Sequence, residues 1–129
     1  MRDSKRKQEI IEHRIAQAID NIDVVRLLFN HDKLPAAVNR IYYGFFYALL
    51  ALSTKNDFNT SKHQQLIGWF NREFIKTNII DSYHGKNLRK VFESRTTSDY
   101  DTFIVFEKDE VETMLNEMVD FINIIKDHI

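Results

Sequence analysis

Cysteine is absent from the 129 residues, and glycine and proline are scarce, at three and one. Without cysteine there is no disulfide framework, no thiolate zinc site and no cysteine nucleophile, and a reducing compartment, the cytoplasm, is the expectation. So few turn-formers cannot serve the many tight reversals of a sandwich or barrel, which leaves helices joined by short connections. Charge of one sign is lacking too: the net charge is −1, so no overall positive field draws nucleic acid to the chain, and any such contact must be local. The longest apolar stretch, Ile41 to Leu52, is interrupted by tyrosines and a glycine and falls short of the ~20 residues that span a bilayer. The charged start, Met1 to Lys7, runs into an amphipathic pattern and not into the apolar segment of a signal peptide, so neither export nor a membrane is expected.

What is present is a core's worth of apolar residues, 43%, beside 29% charged ones, on a chain of single-domain length. One domain over residues 1–129 is expected. Ile11, Ile15, Ala18, Ile22, Val25 and Phe29 recur at spacings of three and four, which predicts a first helix from about Ser4, its cap, to about Asn30. Pro35 suits the first turn of a second helix that runs to about Lys55 and is apolar on most of its circumference, the mark of a central helix. After the polar loop at Asn56, Thr60 or Ser61 is placed to cap a third helix that fades near Asn78. Asp81 or Ser82 caps a short fourth helix through Leu88 and Phe92, Arg95 to Phe106 reads as a long ordered loop, and a fifth helix spans Glu107 to Ile129. The expected fold is all-α, an up-and-down bundle of four or five helices.

Chemistry-bearing residues gather in three places. Arg40 and Tyr43 stand in the apolar second helix, where an arginine needs a carboxylate partner or an anionic ligand, and an internal partner is the expectation. His63 follows Thr60, Ser61 and Lys62 at the start of the third helix, and no second histidine at metal-binding spacing accompanies it, so no metal and no cofactor are expected. Glu93 to Asp101 sets Arg95, Asp99 and Tyr100 in what reads as irregular backbone; these residues also have the bland role of pinning the loop, Arg95 by pairing with Asp99 or a helix end. Tyr42 and Phe46, at helical spacing, read as core.

Taken in order, Asn39 to Ala48 (Asn-Arg-Ile-Tyr-Tyr-Gly-Phe-Phe-Tyr-Ala), Thr60-Ser-Lys-His with Phe70 to Thr77, and Arg95 through Asp99-Tyr100 resemble the HEPN superfamily over most of the chain. The likeness is closest to small stand-alone prokaryotic members, often encoded beside minimal nucleotidyltransferases. It implies a two-fold homodimer of helical bundles, with polar residues of the second helix and the late segment near a shared cleft. Many such proteins are metal-independent ribonucleases with an Arg-x4–6-His motif, some of them toxins silenced by the nucleotidyltransferase. Here Arg95 is followed by Tyr100 where that histidine would stand, and a tyrosine with a pKa near ~10 rarely exchanges a proton at neutral pH.

The sequence therefore favours a non-catalytic, dimer-forming binding module over an enzyme, with no catalytic residue assigned. Arg40, Tyr43, His63, Arg95, Asp99 and Tyr100 are its expected ligand-binding residues, and a nucleotide, RNA or a minimal nucleotidyltransferase its expected partner. The competing expectation is a ribonuclease toxin of a toxin–antitoxin or phage-defence pair, in which His63 approaches Arg95 and supplies the missing base.

Overall fold

In the computed structural model the chain is described over residues 2–100 and 104–129, the side chains of residues 2 and 98–100 excepted. The described residues form five α-helices and no strand: α1 (Arg2–Asn30), α2 (Leu34–Lys55), α3 (His63–Phe70), α4 (Ser82–Tyr100) and α5 (Lys108–Lys126). A single wide π-helical turn, Asn71–Ile75, extends α3. The all-α bundle expected from the spacing of apolar residues is the observed architecture.

α2 is the central element, in contact with α1, α3, α4 and α5. Its near-continuous apolar surface explains this, with Ile41, Phe45, Leu49 and Leu52 all buried. Phe45 meets Phe121 of α5 at 4.8 Å, and Phe70 of α3 meets the same ring edge-on at 5.5 Å. Each such buried side chain contributes about 1.5–3 kcal/mol of transfer free energy, so this aromatic cluster dominates the local energetics. Trp69 stacks on Phe58 at 5.2 Å and meets Phe74 edge-on at 5.4 Å, sealing the α3 corner.

The connections turn on Asp32, Asp57 and Asn78, with φ of 57°, 60° and 60°. Left-handed backbone at these corners falls to Asp and Asn, whose short polar side chains tolerate it, and this is how the chain reverses with so little glycine. Lys108, opening α5, bonds Asp32 at 2.7 Å and lies 4.8 Å from the Phe29 ring, tying the α1–α2 corner to the last helix. Glu110 Oε1 accepts the Glu107 backbone N–H at 3.0 Å and caps that helix start.

Several expected boundaries move. Ser4 lies inside α1 and does not cap it. Lys62, not Thr60 or Ser61, occupies the residue before α3; Thr60 Oγ1 instead accepts the Lys62 N–H at 3.1 Å and orders the approach. Asp81 does cap α4, its Oδ1 accepting the Tyr83 N–H at 2.8 Å. The largest correction concerns Arg95 to Tyr100, which are helical, part of α4 and not a loop. Within this run the Thr96 hydroxyl donates to the Phe92 carbonyl at 2.9 Å, so its polar side chain is satisfied inside the helix.

Candidate functional site

Because α4 continues past Phe92, Arg95 projects from a helix onto α2. Its Nε donates to Asn39 Oδ1 and its Nη2 to the Tyr43 hydroxyl, both at 3.4 Å, and its guanidinium carbon lies 4.7 Å from the Tyr42 ring centroid and 5.5 Å from that of Tyr43. Asn39, Tyr42 and Tyr43 follow one another at helical spacing, so one turn of α2 supplies an amide, a phenol and two π-faces to one guanidinium. Such seating fixes the cation's place while leaving it half-buried in character with its exposed partner Asn39.

His63 reaches the same tyrosine at its hydroxyl. Its Nδ1 is hydrogen-bonded to the Tyr42 hydroxyl, and its ring packs 4.0 Å from Phe46 and 5.5 Å from Tyr42. Burial, and secondarily the Arg95 charge, push the His63 pKa below its ordinary value. Burial also pushes the Tyr42 phenol up to about 12, against the opposing pull of Arg95. Tyr42 thus stays protonated at neutral pH, and His63 stays neutral.

Those two states assign the proton between them. A protonated phenol is a good donor, and a neutral imidazole nitrogen is a better acceptor than a phenol oxygen, so the Tyr42 O–H donates to Nδ1 and the imidazole proton sits on Nε2. The arrangement consequently presents hydrogen-bond donors, the guanidinium of Arg95 and the Nε2–H of His63, around one buried tyrosine. Donors of this kind suit an anionic or carbonyl acceptor; a base would need the other tautomer.

Of the expected ligand-binding residues, Tyr43, His63 and Arg95 come together around Tyr42. Arg40 lies beside them, 5.8 Å from the Tyr43 ring, but its Nε and Nη2 both donate to Asn21 Oδ1 of α1, at 3.0 and 2.5 Å. Its partner is internal, as the apolar surroundings demanded, and is an amide oxygen, not a carboxylate. The side chains of Asp99 and Tyr100 lie outside the described residues. Two participants escaped the sequence reading: Asn39, and Tyr42, which at 1% exposure is the core residue it was expected to be and also the bridge between Arg95 and His63. Their signal was the Asn39–Tyr42–Tyr43 spacing, one turn with amide and phenols facing the same way. Among the described residues no group of three or more His, Asp or Glu side chains is arranged to hold a metal ion.

Comparison with known proteins shows the family. The pattern that defines the HEPN domain matches residues 11–128. The chain belongs to the HEPN family. Among curated HEPN-type relatives, a UPF0332 protein of Thermotoga maritima is 36% identical over 93% of this chain and 91% of its own length. Two proteins of Methanocaldococcus jannaschii carry toxin names: "Putative toxin MJ0142" is 34% identical over 88% of this chain and 77% of its own, and "Putative toxin MJ0605" is 29% identical over 92% and 88%. The HEPN bundle here carries no helix, among the described residues, that is long and apolar enough to cross a membrane.

Proposed function

We propose that this HEPN protein is a binding module that takes a phosphate-bearing ligand, a nucleotide or RNA, at the Arg95–Tyr42–His63 cluster. The observation that carries the reading is the Tyr42 hydroxyl on His63 Nδ1, which leaves His63 a donor beside the Arg95 guanidinium and withdraws it from service as a base. A guanidinium, an imidazole N–H and the Tyr43 hydroxyl converging on one patch match the acceptor oxygens of a phosphodiester. The ring faces of Tyr43 and Tyr47, 5.9 Å apart, suit a base stacked nearby. Exposed Val24 and Leu27 on α1 support a second copy of the chain as partner, and a minimal nucleotidyltransferase is the further partner that the family resemblance suggests.

A ribonuclease toxin is the second reading, favoured by the convergence of His63 and Arg95 on one residue and by the toxin names of two relatives. Equilibrium binding of a labelled nucleotide, with parallel incubation in mixed RNA, separates them. The binding reading expects Arg95→Ala to weaken binding roughly tenfold or more, the scale of a lost charge-assisted hydrogen bond, with no RNA cut by any variant. Cleavage by wild type that vanishes in both Arg95→Ala and His63→Ala overturns it in favour of the enzyme.

A further inference from the structure

Where α4 meets α5, both helices carry polar residues at helical spacing. Asn87, Lys90 and Ser94 recur every three or four residues on α4, as do Glu110, Thr113, Met114 and Glu117 on α5. Six of these side chains, all but that of Asn87, line one cleft of about 300 Å³ between the two helices. A much smaller space of about 10 Å³ adjoins it, sharing Lys90, Met114 and Glu117 and adding Asn87 with the buried apolar side chains of Phe45 and Val91. The result is a narrow polar cleft, apolar at its buried end, at the lower limit of the volumes that take small molecules. It shares no residue with the Arg95 cluster.

Two groups in the cleft are incompletely satisfied. Glu117 is 6% exposed, and its partner among the described residues is Lys90 Nζ, 3.2 Å from Oε1. The Lys90 side chain is 61% exposed, so a buried negative charge is balanced by a cation that stays largely in water. Asn87 is 5% exposed, and its Nδ2 is enclosed without a hydrogen-bond partner. The Tyr83 hydroxyl lies close enough to feel that amide but is turned to Asp120 Oδ2, to which it donates at 3.1 Å. An enclosed N–H without an acceptor is unfavourable, and an oxygen brought to it removes the cost. The other carboxylate of the cleft, Glu110, is already engaged in capping α5.

We infer that the α4–α5 cleft binds a small zwitterion, an α-amino acid with an apolar side chain. The ligand ammonium sits on Glu117, its carboxylate accepts from Asn87 Nδ2 and Lys90 Nζ, and its side chain rests on Met114. An ion pair with one buried and one exposed member offers both charges to a ligand that carries the complementary two. One contact then becomes two, and Asn87 gains the acceptor it lacks. A simple amine leaves Asn87 unanswered. A simple carboxylate competes with Glu117 for Lys90 and sets two like charges side by side. The flexible thioether of Met114 adapts to side chains of different length, so the cleft recognises the class and not one member of it.

Titration of the full chain with L-leucine, followed in nitrogen–proton NMR spectra, tests this. Leucine at millimolar concentration is expected to move the Asn87 side-chain amide signals saturably. Isoamylamine, which is leucine without its carboxylate, and 4-methylpentanoate, which is leucine without its amine, are expected to bind at least about tenfold more weakly. Glu117→Gln and Asn87→Leu, both close in volume to the native residue, should each weaken leucine by at least about fivefold. Thr113→Phe, made at an exposed position on the rim, obstructs the mouth without touching the core and should abolish the titration even if a buried variant folds poorly. Absence of a saturable shift leaves the cleft to water and overturns the inference. Isoamylamine binding as well as leucine reduces the cleft to a cation contact and overturns the zwitterion, and leucine binding that survives Thr113→Phe places the ligand elsewhere.

Discussion

Tyr42 shows how one residue serves core and site at once. Its ring is buried among Phe46, Phe92 and Tyr43, while its hydroxyl and face fix His63 and Arg95. A consequence at this scale concerns protons. The His63 pKa is depressed in the folded protein, so below the unfolded value near ~6.5 the unfolded chain binds a proton that the folded one resists. The contribution of His63 is fully present above that value and is lost as the pH falls toward its folded pKa. His84 is depressed by burial as well, against the pull of Asp120 and Asp81, and adds loss of the same sign. Thermal melts from pH 7.5 to 5 are expected to show falling stability, with a shallower decline in His63→Gln. In NMR titration, Arg95→Gln should move the His63 midpoint upward, since the charge opposing its protonation is gone; an unmoved or lower midpoint contradicts the electrostatic coupling.

At the scale of the element, α2 and α5 approach closely at Gly44. A Cβ at Gly44 would collide with the sulfur of fully buried Met118. Alanine there gains about 1 kcal/mol of helix propensity but meets an overpacking cost of about 1–3 kcal/mol, so the packing term wins. Gly44→Ala is expected to lower Tm by a few degrees, and an equal or higher Tm would mean that Met118 yields freely. This glycine read as an interruption in an apolar run, and only the partner helix reveals why it stands there. The apolar period exposed α1, α2 and α5 in the sequence because each carries one long stripe into the core. It stopped at Phe92 because Glu93 to Tyr100 has no such stripe, and these last turns of α4 meet α2 through Arg95. The π turn after α3 was equally invisible, since widening a turn by one residue leaves apolar spacing nearly unchanged. For the site, Arg95 and His63 were legible as chemical groups and their approach was the competing expectation; the bridge that Tyr42 makes between them was not, because it needs three helices placed together.

For the whole molecule, a net charge of −1 means that attraction must come from local arrangement and not from the protein's overall field. Binding should therefore weaken with salt only in proportion to the few phosphates neutralised. Association of copies belongs to this scale too. Leu27, 60% exposed, and Val24 lie one turn apart on α1, and covering them is expected to produce a dimer mass in light scattering at micromolar concentration. Leu27→Asp should shift that mass toward the monomer, and a wild type that is monomeric throughout removes the dimer.

The single tryptophan gives the fold a built-in optical reporter. Trp69 is 5% exposed, stacked on Phe58 and edge-on to Phe74, at the corner made by α3 and its π turn. Its emission should be blue-shifted in the native protein and red-shift on unfolding. Ligand binding at Arg95 leaves that indole enclosed, so intrinsic fluorescence will follow denaturation cleanly while remaining nearly silent to occupancy of the α2 surface.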